Sequence, residues 1–240
     1  LNQWIDNNER VDSPIKSIND LLIVKLFLEK NGINKKFHLK NLEQFDVLLG
    51  QRRVHRDLLY LGINKQFSNN VIMSYVTDSS TSLKTQSHSN WLWQQPELCF
   101  PESDFNHTVT MVTYHNYQMR LSQVIPIQIY NQTAYSIVAE TNCDNYYMFP
   151  TEKIVKPILG ERLFIVASNQ YYLHNLRSLG FKTFDNVIDE SYDSIEDAPT
   201  RWSMACEQMI KLLSLDPDLV AEKIQPRVEH NFGVMMYRGW

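Results

Sequence analysis

The spacing of apolar and polar residues predicts strands and helices that alternate along most of the chain. Short, uninterrupted apolar runs are the pattern of strands buried in a parallel sheet, and they occur in both halves of the sequence. The predicted strands are Phe45–Leu49, Val71–Val76, Thr108–Tyr114, Ala134–Ala139, Leu163–Ala167 and Phe181–Phe184.

Between these runs, apolar residues recur every three or four positions, which is the spacing of one face of a helix. Helical sequence with predicted interruptions at Pro217 and Pro226 ends the chain. Strands that alternate with helices indicate an α/β protein in which helices cover both faces of a parallel sheet. The predicted helices are Ser17–Lys30, Val54–Leu61, Thr151–Leu159, Asn169–Leu179 and Pro199–Leu213, with one helical turn at Pro126–Asn131.

One segment, residues 77–107, departs from this alternation. Its first part is polar, and its second part combines tryptophan, proline and phenylalanine without a regular period. We expect this segment to be a domain connection or a surface excursion.

Composition and charge argue against several classes of protein. With 43% apolar residues among 240, the chain is long enough to bury a large core. The 23 basic and 27 acidic side chains give a formal net charge of −4. Proteins that bind nucleic acid over a large surface usually carry an excess of basic residues, so the charge argues against that function. No apolar run approaches the roughly 20 residues of a membrane span.

The cysteine pattern and the first residues suit a reducing compartment. Cys99, Cys143 and Cys206 are widely spaced and form no C-x-x-C pair, which excludes a disulfide scaffold and a cysteine zinc site. The chain begins at Leu1 without the basic and apolar segments of a secretory signal peptide. We expect a cytoplasmic protein, and a fragment or a processed product is an open alternative.

Candidate chemistry lies where a predicted strand ends and the next helix begins, because open parallel sheets bind ligands beyond the carboxyl ends of their strands. Glu140 follows one such strand. Thr151 is a plausible N-cap, and the amide groups of that helix start, together with Lys153, favour a phosphate or diphosphate. Glu152 is able to accept hydrogen bonds from sugar hydroxyl groups. The alternative is that Glu152 and Lys156 form an ordinary i,i+4 ion pair.

Other candidates have an ordinary structural interpretation beside the functional one. Arg52, Arg53, His55 and Arg56 form the densest basic cluster, which suits phosphate binding or a solvated helix face. His55 is a candidate catalytic base because an unperturbed histidine titrates near neutral pH, but a lone histidine is more often structural. Tyr147 is able to stack on a nucleotide base or to pack.

The acidic group Asp189, Glu190 and Asp193 suits a general base, a sugar contact or a solvated loop. The sequence contains no glycine-rich dinucleotide fingerprint, no P-loop, no Asp-x-Asp motif and no His/Cys cluster, so we predict no metal ligands.

Three parts of the sequence resemble fucosyltransferase-like GT-B glycosyltransferases. Within that family, the resemblance is mainly to uncharacterised viral and bacterial relatives. The resemblance covers about half of the chain, mainly residues 45–62 and 124–201. The first part is Leu48–Arg56. The second part consists of Tyr135–Thr141, Phe149–Ile154 and Lys156–Leu159. The third part consists of Leu176–Phe184 and Ile188–Asp193.

The resemblance implies a nucleoside-diphosphate-sugar donor that is held mainly by the C-terminal half. It implies that Glu152 contacts the ribose or the sugar, that Lys153 contacts the diphosphate, and that Glu140 lies near the transferred sugar. Arg53 would help to neutralise the diphosphate. Enzymes of this kind generally act without a bound metal, so the nucleotide sugar is a co-substrate and no cofactor is expected.

The resemblance also implies a domain organisation. We expect a reduced or truncated N-terminal α/β domain on the acceptor side over 1–115, because complete GT-B enzymes are usually longer than this chain. A Rossmann-like nucleotide-sugar-binding domain is expected over 116–225, and a C-terminal helical tail over 226–240.

The first hypothesis is therefore a metal-independent glycosyltransferase that moves a sugar to a hydroxyl group of a glycan, a protein or a modified base. Glu140, His55 or an acid of the 189–193 group would serve as the base. The alternative is a glycosyltransferase-derived structural or interaction module without catalytic activity, such as a component of a virion, a homo-oligomer or a larger assembly. A third hypothesis is a donor-binding domain that needs a partner subunit.

Overall fold

A computed structural model describes residues 43–76, 105–107, 111–114, 117–120, 125–130, 132–143 and 147–238 of the chain. The predicted helix over 17–30 lies outside these residues, as does Cys99. The strands are β1 (Glu43–Gln51), β2 (Val71–Val76), β3 (Phe105–His107), β4 (Met111–Tyr114), β5 (Tyr117–Arg120), β6 (Thr133–Ala139) and β7 (Leu163–Ala167). The helices are α1 (Val54–Phe67), α2 (Ile127–Tyr130), α3 (Glu152–Leu159), α4 (Tyr172–Ser178), α5 (Ala198–Leu213) and α6 (Pro217–Tyr237).

Four strands form one parallel sheet in the order β2-β1-β6-β7. In the middle of the sheet, Val47 of β1 is in register with Met73 of β2 and with Ile137 of β6, and Ile137 is in register with Ile165 of β7. Every residue of β6 and β7 is buried, as expected for parallel strands covered on both faces. The predicted α/β fold with a parallel sheet and flanking helices is confirmed.

The order of the strands creates a topological switch point between β1 and β6. From β1 the chain passes through α1 to β2, and on the other side of β1 it passes from β6 through α3 to β7. Right-handed crossovers in opposite directions place α1 and α3 on opposite faces of the sheet. Consistent with this, α1 contacts α5 and α3 contacts α6.

The four-stranded sheet joins strands from both sides of the expected domain boundary at 115/116, since β1 and β2 precede it and β6 and β7 follow it. A second, antiparallel sheet contains β3, β4 and β5. None of the helices in the described ranges is long and apolar enough to cross a membrane.

The predicted strand at 181–184 is wrong, because side chains take the place of a neighbouring strand there. The amide of Phe184 donates to the Glu190 carboxylate at 2.5 Å. Asn231 of α6 accepts from the amide of Lys182 at 2.7 Å and donates to its carbonyl group at 2.8 Å. The apolar residues of this segment are buried in the core without forming a strand. Phe184 packs against Phe164, with ring centroids 4.9 Å apart.

The predicted interruption at Pro226 is also wrong, whereas the one at Pro217 is confirmed. Pro217 is the first residue of α6, and the Asp216 side chain caps that helix. Pro226 lies inside the continuous helix. Burial of apolar side chains on both sides of Pro226 outweighs the loss of one backbone hydrogen bond there. These side chains are Val220, Ile224, Val228 and Met235.

Candidate functional site

The carboxyl ends of β1 and β6, called the switch-point edge below, bring together two basic side chains from distant parts of the sequence. A Cβ atom at Gly50, near the end of β1, would lie 3.1 Å from Nη1 of Arg56 and 3.8 Å from Cε of Lys153. Arg56 comes from α1 and Lys153 from α3. The missing side chain of Gly50 therefore leaves room for the guanidinium group of Arg56, and Lys153 lies beside the same position.

Arg56 and Arg53 place two positive charges at the start of α1. Arg56 is buried, and its Nη2 donates to the carbonyl groups of Ala139 and Glu140 at 3.3 and 3.2 Å. Burial and, secondarily, the nearby Arg53 lower the pKa of Arg56. Arg53 itself is exposed at the N-cap position of α1, so its charge faces solvent at this edge.

Lys153 is held by oxygen atoms on both sides of the loop before α3. Its Nζ donates to the Glu152 carboxylate at 2.7 Å, to Oγ1 of Thr141 at 3.1 Å and to Oγ1 of Thr151 at 3.3 Å. Burial alone would raise the pKa of Glu152, but Lys153 and Lys156 lower it below its ordinary value. Glu152 is therefore an ionised acceptor at neutral pH.

Thr151 caps α3, as the sequence predicts. Its Oγ1 accepts from the amide of Lys153 at 3.3 Å, in the usual geometry of an N-cap. The first amide groups of α3 and the Lys153 side chain thus lie together at the switch-point edge, which favours an anion.

Glu140 lies at this edge, but its side chain is completely buried. The carboxylate accepts from the Thr151 amide at 3.1 Å, from Oγ1 of Thr151 at 2.6 Å and from the Tyr172 hydroxyl at 2.9 Å. The amide of Thr141 donates to it at 3.3 Å. A general base must come within hydrogen-bond distance of the proton that it removes. The Glu140 carboxylate instead contacts protein groups, which join β6, α3 and α4.

His55 is buried beside the same residue. Its Nε2 donates to the carbonyl group of Glu140 at 2.8 Å, so Nε2 carries a hydrogen in this contact. Its ring packs against Trp202 of α5, with centroids 5.5 Å apart. The two predicted catalytic residues therefore contact each other, and both side chains are enclosed by protein.

Tyr147 lies in the loop before α3 with 68% of its surface exposed. An exposed ring at this position is compatible with stacking on a base. Tyr146, the other tyrosine of this loop, lies outside the described residues.

Two of the three carboxylates of the acidic group 189–193 accept hydrogen bonds from backbone amides outside this group. The Asp193 carboxylate accepts from the amides of Leu173 and His174 at 2.8 and 2.9 Å, which caps α4 from a distant position. Glu190 accepts from the amide of Phe184 and pairs with Arg177 at 2.9 Å. Burial raises the pKa of Asp193 and of Glu190. Neither of these two residues belongs to a solvated loop.

The local spacing of residues in the sequence does not identify several residues at or near the switch-point edge. Tyr172 occupies a buried position of α4, where the spacing of apolar residues does not show that its hydroxyl group has a partner. Arg201 and Trp202 both donate to the carbonyl group of Ser168, at the end of β7, at 3.0 Å. Each of these contacts joins positions far apart in the sequence, so no local spacing reveals it.

Within the described ranges, no group of three or more His, Cys, Asp or Glu side chains is arranged to hold a metal ion. Comparisons with protein-family models, with curated proteins and with solved structures give no match to this chain.

Proposed function

We propose that the chain binds a nucleoside-diphosphate sugar at the switch-point edge and transfers the sugar to a hydroxyl group of an acceptor, as a metal-independent enzyme of GT-B type. One observation carries the proposal. Arg56 of α1 and Lys153 of α3 both approach the Cβ position of Gly50, at the topological switch point where open α/β sheets bind ligands. The sequence resemblance supplies the class of ligand.

The charges at this edge suit a diphosphate leaving group. When the bond between the sugar carbon and the diphosphate oxygen breaks, the electron pair and the negative charge stay on that oxygen. Lys153, the exposed Arg53 and the positive end of the α3 dipole would stabilise this charge. Binding would require Nζ of Lys153 to exchange a threonine contact for a phosphate oxygen.

Glu152 and Tyr147 complete the proposed donor site. The Glu152 side chain is 19% exposed and ionised at neutral pH, so it is able to accept hydrogen bonds from ribose or sugar hydroxyl groups. Tyr147 offers an exposed ring to the nucleotide base.

Transfer also needs a group to take the proton of the acceptor hydroxyl as the new bond to the sugar carbon forms. Glu140 and His55 are both buried and hydrogen-bonded within the protein. This observation favours a second candidate function, a glycosyltransferase-derived module that binds the nucleotide sugar without transferring it.

A thermal-shift screen followed by a turnover assay separates the two functions. The purified chain is heated with UDP, GDP, CMP, dTDP and their common sugars. A ligand at about 100 times its Kd stabilises the folded state by roughly 2.7 kcal/mol, which raises the Tm by about 5–10 °C for a chain of this size. Binding with transfer of the sugar to an added hydroxyl compound and release of the nucleoside diphosphate supports the transferase. Binding without release supports the second candidate, and no shift with any ligand contradicts both.

A further inference from the structure

We infer that Glu140 is a positioning residue of the donor site. The hydroxyl group of Tyr172 holds the carboxylate of Glu140. Through Thr151, this carboxylate fixes the start of α3 and the Lys153 side chain. This inference rests on the proposed donor site and assigns to Glu140 and Tyr172 a role different from catalysis.

The hydroxyl group of Thr151 carries the first step of the argument. It lies 2.6 Å from the Glu140 carboxylate, which has no hydrogen to donate when ionised, so the hydroxyl hydrogen points toward Glu140. The lone pairs of Oγ1 then remain available to the amide and to Nζ of Lys153, both at 3.3 Å. The carboxylate therefore sets the orientation in which Thr151 caps α3 and contacts Lys153.

Tyr172 provides the second step. Its hydroxyl donates to Oε1 of Glu140 at 2.9 Å, and the same oxygen accepts from the amide of Thr151 at 3.1 Å. The Tyr172 ring is buried in the core, which fixes the position of its hydroxyl. The carboxylate is thus held by a rigid neighbour on one side and directs the start of α3 on the other.

The backbone of Glu140 provides the third step. Its carbonyl group accepts from Nε2 of His55 at 2.8 Å and from Nη2 of Arg56 at 3.2 Å. One residue therefore fixes the basic side chain from α1 and, through Thr151, the basic side chain from α3. The relative placement of Arg56 and Lys153 depends on Glu140, although the Glu140 side chain has no exposed surface with which to touch a ligand.

Tyr172→Phe tests the inference with little risk to folding, because it removes one hydroxyl and keeps the buried ring. Tyr135→Phe is the matched control. Tyr135 is also buried, on β6, and its hydroxyl has no hydrogen-bond partner among the described residues. Both variants are compared with the unmodified chain and with Glu140→Gln.

The first measurement is the Kd of the nucleoside diphosphate that gives the largest thermal shift, together with the Kd of its nucleoside. Loss of a hydrogen bond to a charged group should weaken diphosphate binding by about tenfold in Tyr172→Phe. Nucleoside binding should weaken much less, because a nucleoside has no phosphate for Lys153 and keeps, at the start of α3, only the proposed contact of its ribose with Glu152. General loosening of the fold would weaken both ligands equally and would contradict the inference, as would an unchanged diphosphate affinity.

The turnover assay separates positioning from base catalysis in Glu140→Gln. A positioning role predicts a weaker diphosphate affinity with kcat reduced by less than about tenfold. Loss of a general base lowers kcat by roughly 10²–10⁴-fold with an unchanged Kd, and that result would overturn the inference.

Amide hydrogen exchange across α3 gives a readout that needs no ligand. Tyr172→Phe should speed exchange in the first turn of α3, and Tyr135→Phe should not. If the unmodified chain binds no diphosphate, the proposed function fails, and exchange alone then decides the positioning role. An unchanged rate in Tyr172→Phe would overturn it.

Discussion

The carboxylate of Asp46 and the guanidinium group of Arg162 form an ion pair of 2.9 Å with side chains only 4% and 1% exposed. Arg162 also donates to Ser136 at 3.0 Å and to the carbonyl group of Tyr130 at 2.9 Å, and its guanidinium carbon lies 4.2 Å from the centroid of the Tyr130 ring. Burial raises the pKa of Asp46 despite the opposing effect of Arg162. The pair joins the first half of β1 to the residue before β7, away from the switch-point edge.

Asp46→Asn is expected to destabilise the fold by about 3–5 kcal/mol, because it leaves the buried charge of Arg162 without its counter-ion. Urea unfolding monitored by circular dichroism measures the change. Asp185→Asn is the matched control, because Asp185 pairs with Arg227 at the surface and is 64% exposed. Surface pairs contribute about 0–1 kcal/mol. Equal losses in the two variants would contradict the structural role of the buried pair.

Gly160→Ala should destabilise the fold because the position after α3 has no space for a side chain. An added Cβ would lie 2.8 and 2.9 Å from two ring carbons of the buried Tyr130. Overpacking of this kind costs about 1–3 kcal/mol. Gly62→Ala provides the opposite case, since no atom lies within 4 Å of its Cβ position and it lies inside α1. The free energy of unfolding of Gly62→Ala should rise by about 0.5–1 kcal/mol. A lower free energy of unfolding in that variant would contradict the open space beside Gly62 on α1.

Glu152 should make the fold more stable at neutral pH than in acid. Its pKa lies below the ordinary value of 4.5, because the effects of Lys153 and Lys156 outweigh burial. The folded state therefore binds fewer protons than the unfolded state as the pH falls, and the stabilisation by Glu152 is lost through the folded-state pKa.

The Tm difference between the unmodified chain and Glu152→Gln should accordingly be largest at neutral pH and should close as the pH falls below the ordinary pKa of 4.5 and through the folded-state pKa. Glu207→Gln, at an exposed position of α5, serves as the control for the loss of one carboxylate at the surface. A gap between the chain and Glu152→Gln that widens in acid would contradict the ion pair with Lys153.

Local sequence pattern was sufficient to predict the four strands of the parallel sheet and two residues of the switch-point edge. Strands β2 and β7 have the predicted bounds, because their apolar runs end sharply at polar residues. The strand-end rule for parallel sheets places Glu140 and Thr151 at one edge, where the structure brings them within hydrogen-bond distance. These features depend only on periodicity and on helix capping.

Contacts between distant positions could not be predicted in the same way. Asp46 and Arg162 are separated by 116 positions, and Glu140 and Tyr172 by 32. Their polar atoms are satisfied only by the packing of strands and helices, and a single sequence gives no information on such pairs. Glu140 is buried because Tyr172 and the residues before α3 enclose its carboxylate. The sequence therefore predicts the position of Glu140 at the edge but not the groups that its carboxylate contacts.

Isothermal titration calorimetry of Lys153→Met with the nucleoside diphosphate chosen by the thermal-shift screen tests the central claim most directly. Lys211→Met is the matched control, because Lys211 is exposed on α5 and also carries one positive charge. We expect Lys153→Met to weaken binding by tenfold or more, since a hydrogen bond to a charged group contributes roughly 1.5–3 kcal/mol. The Tm of the free protein should fall slightly, because Glu152 loses its ion pair, so binding is measured well below the Tm of the variant. We expect Lys211→Met to bind like the unmodified chain. Equal affinities in all three proteins would contradict a diphosphate site at the carboxyl ends of β1 and β6.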